Sequence, residues 1–164
     1  VKNVENNRIT KIISPIGIFE LKIKDEKLYS VDLINYEEKG KAEILEGERD
    51  KFSNWLINYF QGKVQKPLNI ESFILTNSSV LNKILEELLK VEYGKTITYS
   101  ELALKTNTHP RVVGIAMARN PVPIFIPCHR VVGRYFLGGY SYGIEIKNWL
   151  LNFEINNLKK IKDK

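Results

Sequence analysis

Four of the chain's six prolines fall between residues 110 and 127, and Pro121, Pro123 and Pro127 lie within seven positions. Proline has no amide hydrogen to give to a helix or a central strand, so neither can run through Asn120-Pro121-Val122-Pro123-Ile124-Phe125-Ile126-Pro127. The pattern predicts a stiff, mostly extended segment. It delivers Cys128-His129-Arg130, and Cys128 is the only cysteine in 164 residues. A thiol reacts as its thiolate, which nearby cations or a base favour. A lone cysteine is also commonly a small buried apolar residue, so it is the placement between Pro127 and His129-Arg130 that argues for a held nucleophile. Adjacent side chains of extended chain point to opposite sides. His129 is therefore not expected to contact Cys128 directly, which leaves a water bridge open.

The flanking regions have distinct patterns. Residues 9–33 alternate as strands: Ile9 to Ile13, then Ile16, Ile18 and Ile23 with Phe19 and Leu21 offset, then Leu28 to Leu33 after a Lys-Asp-Glu-Lys turn. They predict a small antiparallel meander. Phe52, Trp55, Leu56, Tyr59 and Phe60 have helical spacing, and Gln61 to Pro67 reads as a connector. From Ser79 the pattern is helical: Leu81, Ile84, Leu85 and Leu88 follow the cap candidates Asn77, Ser78 and Ser79, and Gly94 is expected to close the element. Thr98-Tyr99-Ser100-Glu101 has the form of a capping box that starts a helix at Tyr99. Thr106-Asn107-Thr108 interrupts it, and Pro110 opens a second helix through Arg119. A last helix is expected from Ile144 to about Leu158, with Trp149, Leu150 and Phe153 inward.

Charge separates the two halves. Residues 1–90 are balanced, so the net charge of +6 belongs to residues 91–164, including Lys159, Lys160, Lys162 and Lys164 at the end. A basic half suggests a polyanionic partner. Arg111 at the head of the second helix of a helix–turn–helix pattern lies where base-contacting residues sit in such motifs. Gly114, Ala116 and Ala118 would let that helix approach a groove, or pack tightly on another helix. No apolar run is long enough to span a bilayer, the opening VKNVENNRITK carries no secretory leader pattern, and one cysteine with two histidines cannot close a Cys/His zinc site. These residues leave three classes open. One is a DNA-binding protein with a reactive cysteine. The second is a helix–turn–helix regulator with an incidental cysteine. The third is a cysteine hydrolase using Cys128, Asn120 and His109 or His129.

The run NPVPIFIPCHRVV resembles the active-site signature of the O6-alkylguanine-DNA alkyltransferases, the methylated-DNA–protein-cysteine methyltransferases. The resemblance extends from about Ser79 to Glu154 through TYSELA, RVVGIAMARNP, GGYSYG and KNWLLNFE. It implies an α+β chain: an N-terminal domain (1–66) with an antiparallel sheet, ribonuclease H-like, a linker (67–78), and a helical C-terminal domain (79–164) with a winged helix–turn–helix-like motif. The implied activity is direct-reversal repair. O6-alkylguanine, and O4-alkylthymine, would be flipped out of the duplex and the alkyl group passed irreversibly to Cys128 in a single turnover.

By the same resemblance, His129 and Glu154 form a relay to Cys128 through a water, and Asn120 braces the turn before it. Tyr99 assists flipping and donates a proton to guanine N3, and Arg111 fills the base stack. Gly114, Ala118 and Arg119 belong to the DNA-contacting helix. The carbonyls of Cys128 and Val131 read the guanine amino group, and Tyr140 and Ser141 wall the pocket, with Pro123 and Met117 also on it. Tyr142 stands where many members have glycine, which would reshape the pocket mouth, and the Cys128–Tyr140 spacing is short. Zinc ligands found in some members are missing here, so the implied protein needs no metal or cofactor. Its implied partner is double-stranded DNA, it is a monomer able to bind DNA cooperatively, and it is cytoplasmic.

Overall fold

The computed structural model describes residues 6–163; the first five residues and Lys164, the last of the tail lysines, lie outside it. The chain divides into two compact units, residues 1–75 and 76–164.

The first unit is a four-stranded antiparallel sheet with one helix. Strands β1 (Asn7–Ser14), β2 (Gly17–Lys24) and β3 (Lys27–Asn35) form the meander, and β4 (Glu43–Glu46) pairs with the free edge of β1, giving the order β3-β2-β1-β4. Asp25 and Glu26 both take positive φ, as a two-residue hairpin turn between right-twisted strands requires. The buried face differs from the isoleucine pattern. Phe19, Leu21 and Ile23 of β2 and Thr10, Ile12 and Ser14 of β1 are buried, whereas Ile9 is half exposed. With a side-chain period of two, the packed face of β2 runs through Phe19, Leu21 and Ile23, while Ile16 and Ile18 beside the turn are buried as well.

Helix α1 (Lys51–Phe60) starts at Asp50, whose carboxylate accepts the Phe52 and Ser53 N–H groups and is gripped by Arg8 at 2.7 and 3.1 Å. Residues 67–75 are not a free linker. Ile70–Ser72 forms a 3-10 turn, Phe73 is buried and bridges to Leu28, and the division between units falls after Leu75.

The second unit is helical: α2 (Ser79–Leu88), α3 (Tyr99–Thr106), α4 (Pro110–Ala118) and α5 (Ile144–Lys162), with two short strands, β5 (Ile97–Thr98) and β6 (Val131–Val132). Ser78 caps α2, which ends at Leu88, and Gly94 lies beyond it in the following loop. Thr98 accepts the Glu101 N–H and caps α3; Asn107, in the left-handed region, ends it. The face that α5 buries is Lys147, Leu150, Leu151 and Glu154. Trp149 and Phe153, expected inward, are half-buried and stacked on each other at 4.9 Å. Among the described residues, no helix is long and apolar enough to cross a membrane.

Candidate active site

The site is assembled by a two-residue parallel ladder. Ile97 pairs with Val131 and Thr98 with Val132, so the start of α3 lies beside the residues that follow Cys128. Tyr99, next in the chain after Thr98, is thereby brought to the cysteine from 29 residues away in sequence.

Residues 120–130 are folded tightly, which corrects the extended segment expected from the prolines. The Ile126 N–H bonds to the Val122 carbonyl at 3.0 Å, the Cys128 N–H to the Ile126 carbonyl at 2.8 Å, and Cys128–Arg130 is a 3-10 turn. Prolines forbid a helix or ladder, but they suit consecutive turns. Asn120 holds the fold from within: its amide donates to the Ile126 carbonyl at 2.9 Å and its Oδ1 accepts the Val122 N–H at 3.1 Å. Ile124, almost wholly buried, sits at φ +74°, a conformation that β-branched residues rarely adopt.

Cys128 is 3% exposed and lines a cavity of about 280 Å³. Tyr99 of α3, Gly114, Met117 and Ala118 of α4, and the loop residues Gly139, Tyr140 and Ser141 complete the lining. Burial pushes the thiol up to about 11, with a hydrogen bond to Asn120 and the charge of Lys147 opposing the shift. The Tyr99 hydroxyl, raised by burial, accepts the Gly139 N–H. Pro123 and Val131 are buried off this lining. Tyr142 is likewise not on the lining. It packs edge-on against Tyr140, a residue of the lining, at 5.5 Å.

Behind the cysteine lies a buried charged cluster. His129 Nε2 and Glu154 Oε2 are 2.6 Å apart, and both side chains are fully buried. Arg130 donates to the same carboxylate from Nε at 2.9 Å and from a terminal nitrogen at 3.1 Å, and to the Val91 carbonyl at 2.9 Å. The Gly94 N–H adds a fourth bond at 2.9 Å. Burial alone would raise Glu154, yet His129 and Arg130 hold it well below the usual carboxylate range. Burial lowers His129, with the charge of Glu154 and the hydrogen bond to it opposing the shift. With Nε2–H given to Glu154, Nδ1 is an acceptor without a hydrogen-bond partner among the described residues.

Two participants have roles not assigned from the sequence, where Arg130 is read only as a cation beside the cysteine and Lys147 is not singled out. Arg130 fixes the Glu154 carboxylate. Lys147, fully buried, donates to the carbonyls of Val131 at 2.6 Å and Gly139 at 3.0 Å, and its Nζ lies 5.9 Å from the Tyr99 ring centre. Burial brings it down to about 8. The only signal available was its i, i+3, i+4, i+7 spacing with Leu150, Leu151 and Glu154.

The surface of α4 distinguishes the two roles weighed for its small residues. Ala116 is fully buried and serves packing. A Cβ added at Gly114 would meet nothing within 4 Å, and Ala118 is exposed, so packing does not require small residues at either position. Arg111 and Arg119 are exposed at the two ends of the helix. His109 caps α4, its Nδ1 accepting the Arg111 N–H at 3.1 Å, and so has a structural task outside the buried cluster.

Comparison with known proteins agrees with this geometry. Residues 79–156, which hold the whole site, match the family described as 6-O-methylguanine DNA methyltransferase, DNA binding domain. A methylated-DNA–protein-cysteine methyltransferase of Methanocaldococcus vulcanius is 45% identical over 105 residues, covering 64% of this chain but just over half, 56%, of that protein. The protein of the same name from Metallosphaera sedula is 37% identical over 150 residues, 90% of this chain and 92% of that one. The structure of Mycobacterium tuberculosis OGT in complex with DNA superposes with a TM-score of 0.74 at 27% identity, over 91% of this chain and 93% of that one. Similarity thus runs through both units, and the chain belongs to the methylated-DNA–protein-cysteine methyltransferase family.

Proposed function

We propose that this chain repairs O6-methylguanine in DNA by direct reversal, taking the methyl group onto Cys128. The observation that carries the reading is the cavity itself: the only sulfhydryl of the chain forms part of its wall, together with Gly114 and Ala118 of α4. A base inside a duplex cannot reach a buried sulfur, so the nucleotide is extruded into the cavity, at a cost of a few kcal/mol. Gly114 and Ala118 give α4 the close approach that groove binding needs, and Arg111 enters the stack the guanine leaves.

The chemistry is one displacement. A thiol near 11 is thiolate on the order of one part in ten thousand at neutral pH. Deprotonation therefore has to be assisted at the moment of reaction. Neutral His129 takes the proton at Nδ1 through one water, and Glu154 stabilises the imidazolium that results. The sulfur attacks the methyl carbon, the carbon–O6 bond breaks, and the guanine leaves neutral because the Tyr99 hydroxyl gives a proton to N3. Nothing in the reaction needs a cofactor, and a thioether is not hydrolysed under such conditions, so each molecule acts once.

Larger alkyl groups and O4-alkylthymine fit the same displacement. A reducing, cytoplasmic setting suits a thiol that has to stay free, and a monomer suffices because all reacting groups come from residues 99–154. The finer fold reading, a ribonuclease H-like N-terminal unit and a winged helix–turn–helix, rests on the sequence resemblance. Mass analysis after incubation with an O6-methylguanine duplex tests the function. One methyl on the Cys128 peptide, in stoichiometric yield, is expected; methyl on another residue, or repeated turnover, overturns it.

A further inference from the structure

Between β6 and α5 the chain makes a tight turn that holds two aromatic rings in water. The Gly133 N–H donates to the Phe136 carbonyl at 2.9 Å, leaving Arg134 and Tyr135 at the tip. The Phe136 ring folds over Gly133, within 2.4 Å of where a Cβ would stand, so a side chain there would displace the ring. Tyr135 is 86% exposed and Phe136 68%, and the Arg134 guanidinium lies 5.3 Å from the Tyr135 ring centre. Adjacent exposed rings of this size mark a contact surface more often than chance. No acidic residue occurs from 131 to 144.

The far end of the same loop forms part of the cavity. Gly139 lines it and is fastened twice, its carbonyl by Lys147 and its N–H by the Tyr99 hydroxyl. Four residues of chain reach at most about 14 Å, so the tip cannot lie far from a nucleotide seated against Gly139. Its composition is that of a sequence-tolerant nucleic-acid contact: a guanidinium for phosphate and aromatic faces for sugar or base.

We infer that the Arg134–Tyr135–Phe136 tip is a second DNA contact, gripping the strand beside the extruded nucleotide with Arg134 on phosphate and the two rings on sugar or base. The inference rests on the function proposed above. It adds a grip separate from α4, which steadies the distorted strand while the base is out.

The test uses the full chain and two substrates, an O6-methylguanine duplex and free O6-benzylguanine. Tyr135→Ala, and Tyr135→Ala with Phe136→Ala, are expected to slow methyl transfer from the duplex by roughly tenfold and to leave the free base reacting at the wild-type rate, with Tyr135→Trp restoring the duplex rate. Irradiation with a 5-iodouracil duplex should cross-link Tyr135 or Phe136. An unchanged duplex rate overturns the inference, as does an equal loss on both substrates, which would make the loop a pocket determinant. A change in sedimentation with no change in DNA reaction also overturns it, assigning the rings to self-association. If the wild-type chain takes no methyl from DNA at all, the proposed function fails first and this contact with it.

Discussion

Two buried charged arrangements flank Cys128, and they are satisfied in opposite ways. Glu154 is surrounded by donors: His129, two nitrogens of Arg130 and the Gly94 N–H. Lys147 is as deeply buried, but its partners are the neutral carbonyls of Val131 and Gly139. A charge matched by counter-charge and hydrogen bonds fixes geometry, whereas a buried charge without a counter-ion projects a field. The cysteine thus has a rigid base behind it and a positive potential beside it. In the proposed reaction the first orients the proton acceptor, and the second favours the thiolate against its desolvation.

The sharpest way to break this contrast is to remove one charge from each side. Glu154→Ala strands the Arg130 guanidinium in the interior and is expected to lower stability by about 3–5 kcal/mol in urea unfolding. Lys147→Met removes an uncompensated charge along with two hydrogen bonds, so its cost should stay within about 1 kcal/mol. Equal losses would mean that the two sides are not different in kind.

The next effect is on reactivity. Lys147→Met should raise the Cys128 thiol further and slow reaction with free O6-benzylguanine at neutral pH by about tenfold, the equivalent of one pKa unit. Titrating the thiolate absorbance measures the shift directly, and an unaltered titration removes Lys147 from the chemistry.

A smaller effect appears in the pH dependence of stability. The unfolded chain holds the Lys147 proton to about its ordinary 10.5, while the folded chain releases it near 8. Between those values the unfolded state binds more protons, so stability rises with pH. Cys128 acts in the reverse sense between its ordinary 9.0 and about 11, where the folded state binds more protons and stability falls as pH rises. Stability should therefore climb by about 1 kcal/mol from pH 8 to 9, level off, and decline above pH 10.5. In Lys147→Met the early climb should vanish. Smallest of all on these readouts is Arg111→Ala, outside both clusters. It should leave stability within about 0.5 kcal/mol and the free-base reaction unchanged, while slowing repair of the duplex.

The same contrast explains what could be read in the chain beforehand. His129 and Arg130 follow Cys128 directly, so a reactive cysteine beside a base and a cation was visible as a string of letters. Lys147 was not, because a lysine in a helix is ordinarily a surface residue. Its burial depends on which turn of α5 meets the cysteine loop, and Trp149 and Phe153 pointed to a different face. Glu154 was reached only through family resemblance for the same reason. In the sheet, the hairpin and its turn were legible from alternation, but short β4 (Glu43–Glu46) has no apolar run and exists because β1 offers an edge. The tight winding of residues 120–130 was hidden because prolines announce what a segment cannot be, and leave its path to Asn120.

Ile124 carries one more implication. A β-branched residue does not enter the left-handed region by preference; it stays there because a finished interior receives its side chain and Asn120 ties the backbone on either side. A chain still in the course of folding has no such interior and no cause to present its sulfur. Competence to react is in this way a certificate of maturity: an immature or locally melted copy holds the proposed alkyl transfer in reserve until the scaffold around it is whole.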